Sequence, residues 1–336
     1  DQVGDNNDSE VTQLGTTNSS DVDSNGHGNS STVNQNGTSN ISQVLQDQTT
    51  GYPAENNIST VDQVGTSNNS FVWNDGDSNN SDVDQNGTSN DSYVDQWGDS
   101  STSVVDQDGS TNESDVYQGY GDGGDHDSYV QQDGNSNDSF VYQHGGTGNE
   151  SDVIQLGDTN ISNVDQDGTD NVGYAIQGPQ EDNVSDLTQT GDENYAFLDQ
   201  WGNRNNSDVN QEGFSNSSTT YQGQIASDNN STVDQIGDEN DSYVYQGGDQ
   251  HLSDVDQDGN DNDSSVNQNG LSHESDVDQL GDSNESDVDQ AGTDQWSMVM
   301  QDGSANISGV TQSGNNHMST VNQIGNGNNS SVTQSN

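Results

Sequence analysis

The chain has 336 residues, with one basic side chain against 59 acidic ones, a formal net charge of −58 and only 22% hydrophobic residues. Taken alone, that composition predicts a disordered acidic polymer, and no stretch has the apolar density of an ordinary enzyme core. It also disfavours nucleic acid and anionic membranes as partners; the absence of cysteine excludes disulfides and thiolate zinc sites, and no apolar run approaches the roughly 18 residues of a membrane helix.

An internal repeat overrides the first of these expectations. Gln recurs at 2, 13, 35, 46, 63, 85, 96, 107 and 118 and onward to 334, mostly in steps of eleven. Aligned on this Gln, the unit reads SxVxQxGxxNx, and Ser81, Val83, Gln85, Gly87 and Asn90 form one clean copy. Thirty Gln slots can be placed and only Ser24 and Asn74 depart; of 29 Val slots, 25 hold Val, the others being Ala175, Leu187, Leu198 and Thr220. Longer steps follow Gln46, Gln118, Gln143, Gln177 and Gln222, and four of those five arcs lose the Gly, carrying Gln48, Tyr120, Pro179 and Gln224. Insertions thus fall in turns, the largest around Gly51, Tyr52 and Pro53.

Ser, Val and Gln alternate with variable residues at period two, so SxVxQ is expected to be a five-residue strand with those three side chains inward. The xGxxNx that follows reverses the chain, because Gly accepts positive φ freely and Asn tolerates it. Two strand-arc units make a rung of about 22 residues, and the thirty units predict an all-β, two-sheet parallel β-solenoid of about fifteen rungs, of cross-β type, as a single domain over residues 1–336. Valine burial alone falls short of the ordering cost of so polar a chain, so stacked Gln and Asn amides must run as side-chain ladders. The expected core ladder includes Ser81, Val83, Gln85, Asn90, Gln96, Gln107, Gln235, Asn240, Gln246, Gln257, Gln268, Gln279 and Gln290.

Outward slots carry the charge. Asp234, Asp256 and Asp278 should form one column and Asp254 and Asp276 a second, either as weak Ca²⁺ candidates or, more simply, as a solvated surface whose self-repulsion slows assembly until counterions screen it. Tyr221 and Tyr245 share one outward slot a rung apart, as do Tyr117 and Tyr142 on the opposite face. His251, His273 and His317 each take an Asn slot, which reads as a polar substitute and not as a metal site. Sequons such as Asn90, Asp91 and Ser92 are a by-product of the repeat. No cofactor and no catalytic residue is implied, since near-equivalent units make no unique cleft.

Monomeric solenoids close their ends with atypical caps, whereas this chain starts within a unit at Asp1 and Gln2 and stops just after Gln334, which leads to the expectation of head-to-tail self-stacking into a homopolymer. No charged-then-apolar leader precedes Asp1, so the numbering is expected to begin after a signal peptide. The recurring QxGxxN with a second Gln eleven residues on, as in Gln85, Gly87, Asn90 and Gln96 or Gln235, Gly237, Asn240 and Gln246, resembles the curlin repeat from end to end. The slot four before Gln is nearly always Ser here, where curlin half-repeats often have Ala; only Gly173 and Ala196 differ. The resemblance implies a major curlin subunit: an extracellular functional amyloid of the biofilm matrix, secreted through an outer-membrane pore and nucleated by a minor curlin. The rival reading is a monomeric calcium- or ice-binding solenoid adhesin, which needs terminal caps and, for ice, a flat regular Thr array.

Overall fold

β-Branched Val flanked by small and polar residues at period two favours extended backbone, and a unit too short to bury a face alone must stack on its neighbours. The computed structural model describes residues 1–47, 54–120 and 123–336, with the backbone alone at 224–226. Gln48 and the insertion at Gly51, Tyr52 and Pro53 lie outside the described residues, as does the side chain of Gln224. The chain divides into two compact units, Asp1–Asn171 and Val172–Asn336.

Each unit is a two-sheet parallel β-solenoid in which successive strands alternate between the sheets, except that the short strand Ala54–Glu55 lies in the same sheet as Ile41–Gln46 before it. In the first, Gln2–Asp5, Ser19–His27 and Ile41–Gln46 begin one sheet, and Asp8–Thr16, Ser30–Thr38 and Ile58–Thr66 begin the other. In the second unit, Val172–Gln177, Tyr195–Asn203 and Ser217–Ser227 begin one sheet, and Val184–Asp192, Asn206–Phe214 and Asn230–Ile236 the other. No helix occurs among the described residues, and two strands per rung give about fifteen rungs in the chain. The register places like on like: Ser81 pairs with Ser103, Val83 with Val105, Gln85 with Gln107 and Gly87 with Gly109. The same holds for Ser253, Val255 and Gln257 against Ser275, Val277 and Gln279. From Val33 to Val321 the Val-slot side chains are at most 4% exposed, the substitutes Ala175, Leu187, Leu198 and Thr220 included.

Two local expectations need correction. The strands are longer than SxVxQ: Asn80–Thr88 has nine residues and continues through Gly87. Gly87 belongs to the ladder, at φ 130, and a Cβ on it would stand 1.9 Å from the carbonyl oxygen of Gly109 one rung on. Glycine is required there by both the dihedral and the close approach of two backbones. The second correction concerns Asn, which does not take the left-handed conformation. The residue just before it does, whatever its type: Ser89 at φ 59, Arg204 at 55, Ala305 at 54. Its amide is held by the neighbouring rung, as in Ser89 N–H to the Thr66 carbonyl at 2.9 Å, which offsets the roughly 1 kcal/mol that a Cβ costs in that region.

Candidate assembly ladders

All thirteen side chains singled out for the core ladder are buried, at most 1% exposed. The glutamines are joined along each sheet. Gln85 Nε2 donates to Gln107 Oε1 at 2.8 Å and to the Asn69 carbonyl of the facing sheet, also at 2.8 Å. Gln85 Oε1 meanwhile accepts from Gln63 Nε2 at 2.8 Å. One amide thus satisfies both its protons and its oxygen, linking rung to rung and sheet to sheet. In the second unit the series Gln189, Gln211, Gln235, Gln257, Gln279, Gln301 and Gln323 is unbroken, with links of 2.8–3.0 Å. Gln246, Gln268 and Gln290 run likewise on the other sheet, at 3.0–3.1 Å.

Asparagine builds a second ladder in the arcs. Asn79 Oδ1 accepts the backbone N–H of Ser101 at 2.9 Å, and Asn79 Nδ2 donates to the Gly98 carbonyl at 2.7 Å. The acceptor role explains which substitutes are tolerated. His251 Nδ1 accepts the backbone N–H of His273 at 3.2 Å, and His273 Nδ1 accepts that of Gln295 at 3.3 Å, so each imidazole stands in for an amide oxygen. The two rings stack at 4.9 Å. Sequence reading missed a further case: His126, buried in an arc lengthened by insertion, accepts the Asn149 N–H at 3.3 Å. Burial pulls His126 and His251 down to about 4 and lowers His273 as well, which keeps these rings neutral and able to accept. His317 is only half-buried and hydrogen-bonds the Ser313 carbonyl through Nε2 at 3.1 Å.

Among the described residues, the glutamine ladder departs at two slots, both in the first unit, where Ser24 and Asn74 replace Gln. Serine hydroxyls of the facing strands take over. Gln46 Oε1 accepts from Ser24 Oγ at 2.9 Å and Ser31 Oγ at 2.8 Å. Gln46 Nε2 and Asn74 Nδ2 donate to Ser59 Oγ at 3.1 and 3.2 Å. Ser81 Oγ lies 2.9 Å from Asn74 Oδ1 and 2.7 Å from Gln96 Oε1, one proton shared between two acceptors. Most other buried slot serines, Ser264 and Ser286 among them, have hydroxyls with no partner among the described residues.

On the outer surface Asp234 pairs in register with Asp256, and Asp256 with Asp278, while Asp254 pairs with Asp276. Burial first and neighbouring carboxylates second raise Asp254 and Asp256 and bring Asp276 up to about 6. Asp234 is raised chiefly by burial, against a hydrogen bond from Asn210. Among the described residues no group of three or more His, Asp or Glu is arranged to hold a metal ion. Arg204 makes a two-pronged pair with Asp228 one rung on, at 2.6 and 2.9 Å, on the exposed arc. Tyr117 lies in register with Tyr142, their rings edge to face at 6.3 Å, and Tyr221 with Tyr245. No described helix is long and apolar enough to cross a membrane.

The family profile of the Curlin associated repeat matches residues 76–109, 181–213, 237–270, 259–292 and 298–325. A search of curated proteins finds no match. The matched segments lie in both units and contain the same inward Ser, Val, Gln and Asn columns as the rest of the stack. The repeat is recognised at five places, in both units, and each matched segment folds as rungs of the two-sheet solenoid, so the chain carries Curlin associated repeats.

Proposed function

We propose that this protein is the major structural subunit of a curli-type extracellular amyloid fibre, polymerising with copies of itself to give a biofilm matrix cohesion and adhesion. The observation that carries this reading is the constant register. Where intact repeats stack, as Ser81–Gly87 on Ser103–Gly109 and Ser253–Gln257 on Ser275–Gln279, a rung presents to the next the same row of groups that it meets on the one before, so a rung of a second copy can occupy the next position as well as a rung of the same copy. The reading makes the chain a scaffold and not an enzyme. By family, a minor curlin would nucleate it and an outer-membrane pore would export it unfolded; nucleic acid, bilayer and cofactor have no part.

Purified full-length protein at neutral pH and moderate salt should give thin unbranched filaments with a meridional repeat of about 4.7–4.8 Å. Preformed filaments should abolish the lag of fresh protein, and lowering the salt should lengthen it, because the acidic columns repel when unscreened. Protein that stays monomeric at high concentration and ignores seeds would overturn the proposal and leave a binding solenoid in its place.

A further inference from the structure

The first unit carries a cluster of exposed aromatic rings that the ladders do not use. Strands Glu113–Tyr120 and Asp138–His144 are parallel neighbours that place Tyr117 opposite Tyr142. With Tyr120 and Phe140, which are 43% and 37% exposed, these rings line a surface depression of about 350 Å³. That volume lies at the small end of the range for small-molecule sites, roughly 300–1,000 Å³. The rings are mutually inclined: Tyr117 and Phe140 by 44° at 5.6 Å, Tyr120 and Tyr142 by 60° at 6.3 Å. They form walls, with faces turned at different angles to the space between them.

A neighbouring rung supplies negative charge in the same column. Asp95 pairs with Tyr117 from one side and Asp165 with Tyr142 from the other, across four adjacent strands; Asp95 is buried, which pushes it up to about 6, so the carboxylate exposed beside the rings is that of Asp165. His144 stacks on Tyr142 at 4.3 Å and reaches Asp165 at 3.1 Å. Ring faces are the negative side of the aromatic quadrupole, so rings and carboxylates attract the same kind of ligand. A neutral apolar guest would use the rings and waste the charge; a hydrated metal ion would use the charge and waste the rings.

We propose that the depression lined by Tyr117, Tyr120, Phe140 and Tyr142, beside Asp165, binds a small alkylated ammonium cation of the choline type. A trimethylammonium group offers methyl surface to the ring walls and spreads its positive charge towards their faces and the exposed Asp165 carboxylate. The same carboxylate disfavours ligands that carry their own anion, so phosphocholine, free or in a lipid headgroup, binds more weakly than choline itself.

The test is titration of the full-length protein at pH 7 with choline, with phosphocholine and with the neutral isostere in which tert-butyl replaces trimethylammonium. Saturation transfer to the ligand methyls reports binding, and fluorescence of Trp97, whose ring lies 4.6 Å from that of Tyr120, reports the location. Choline should bind about 10-fold more tightly than the isostere. Tyr142→Leu should lose most of that binding, Tyr142→Phe should keep it, and Asp165→Asn should weaken it about 3-fold. Far-UV circular dichroism on each variant checks that the outward substitution leaves the stack intact. Equal binding of choline and its isostere, or choline binding that survives Tyr142→Leu in a folded variant, would overturn the site.

Discussion

The ladder around Asn74 in the first unit and the ladder from Gln189 to Gln323 in the second perform the same task by different means. In the second, each glutamine reaches the next directly and the serines facing it are idle; Ser264 and Ser286 have hydroxyls without partners. In the first, Asn74 is one methylene short, and Ser59 and Ser81 close the gap. The difference teaches that the unit carries its own repair. The slot serine is redundant over a full-length ladder, where a buried unpaired hydroxyl costs free energy, and becomes a structural bond where the ladder shortens.

The largest effect should come from breaking the intact ladder. Gln257→Ala removes the acceptor of Gln235 and two donor bonds, to the Asp241 carbonyl and to Gln279, all at 2.8–2.9 Å, and it opens a cavity. A local cost of about 4 kcal/mol is expected. Asn74→Ala, with longer donor bonds of 3.2 and 3.4 Å, should cost about half as much. Amide hydrogen exchange on the flanking strands reads each locally, which suits a stack whose parts open separately. Equal loss at the two positions would show that the ladder bonds do not set the difference.

Acid should separate the regions next. His251 and His273 are held neutral in the folded chain, whereas free imidazole takes up a proton near 6.5, so their contribution is whole above about 6.5 and is lost as pH falls towards 4. About 3 kcal/mol for His251 should disappear over that window, with His273 adding in the same direction. The carboxylates act with the opposite sign. Asp254 and Asp256 are raised and Asp276 stands at about 6, so the folded chain takes up these protons first, and mutual repulsion is relieved as pH falls through about 6. Exchange protection near 251–295 should therefore fall between pH 6 and 4 in the natural chain and hold in the double variant His251→Asn/His273→Asn. Matching profiles in the two proteins would remove the imidazoles from the account.

The smallest effect is the most pointed. Ser81→Ala deletes the proton shared between Asn74 and Gln96 and should cost about 1–2 kcal/mol. Ser264→Ala, in the equivalent slot over the unbroken ladder, should be neutral or slightly stabilising. Denaturation followed on both variants tests the repair directly, and a matching loss at Ser264 would refute it.

Much of this was legible in the sequence because the inward slots are chemically fixed. A Gln or Val that recurs every eleven residues can be read without coordinates, and so can the parallel stacking that places Asp254 beside Asp276. The left-handed turn position was not legible, since Ser89, Arg204 and Ala305 share no chemistry and are selected by a backbone bond from the next rung. His126 escaped because the step from Gln118 to Gln132 is not eleven. Ser24 and Asn74 were visible as departures, but which serines answer them depends on how the two sheets face one another. The aromatic depression likewise gathers residues from two strands, and one of them, Tyr120, occupies a slot where the repeat has Gly.

In-register stacking also fixes how densely charge is strung along the stack axis. A net charge of −58 over about fifteen rungs is about four per rung, and at a rise of about 4.8 Å that is one charge per ~1.2 Å. Duplex DNA carries one per roughly 1.7 Å and already gathers a condensed layer of counterions. On the proposed reading, a filament of this protein would behave as a polyelectrolyte: most of its formal charge would be cancelled by a territorially bound cation sheath that travels with it. Such a fibre would act as an ion-exchange resin spun from protein, enriching mobile cations around whatever it coats, independently of any single binding site.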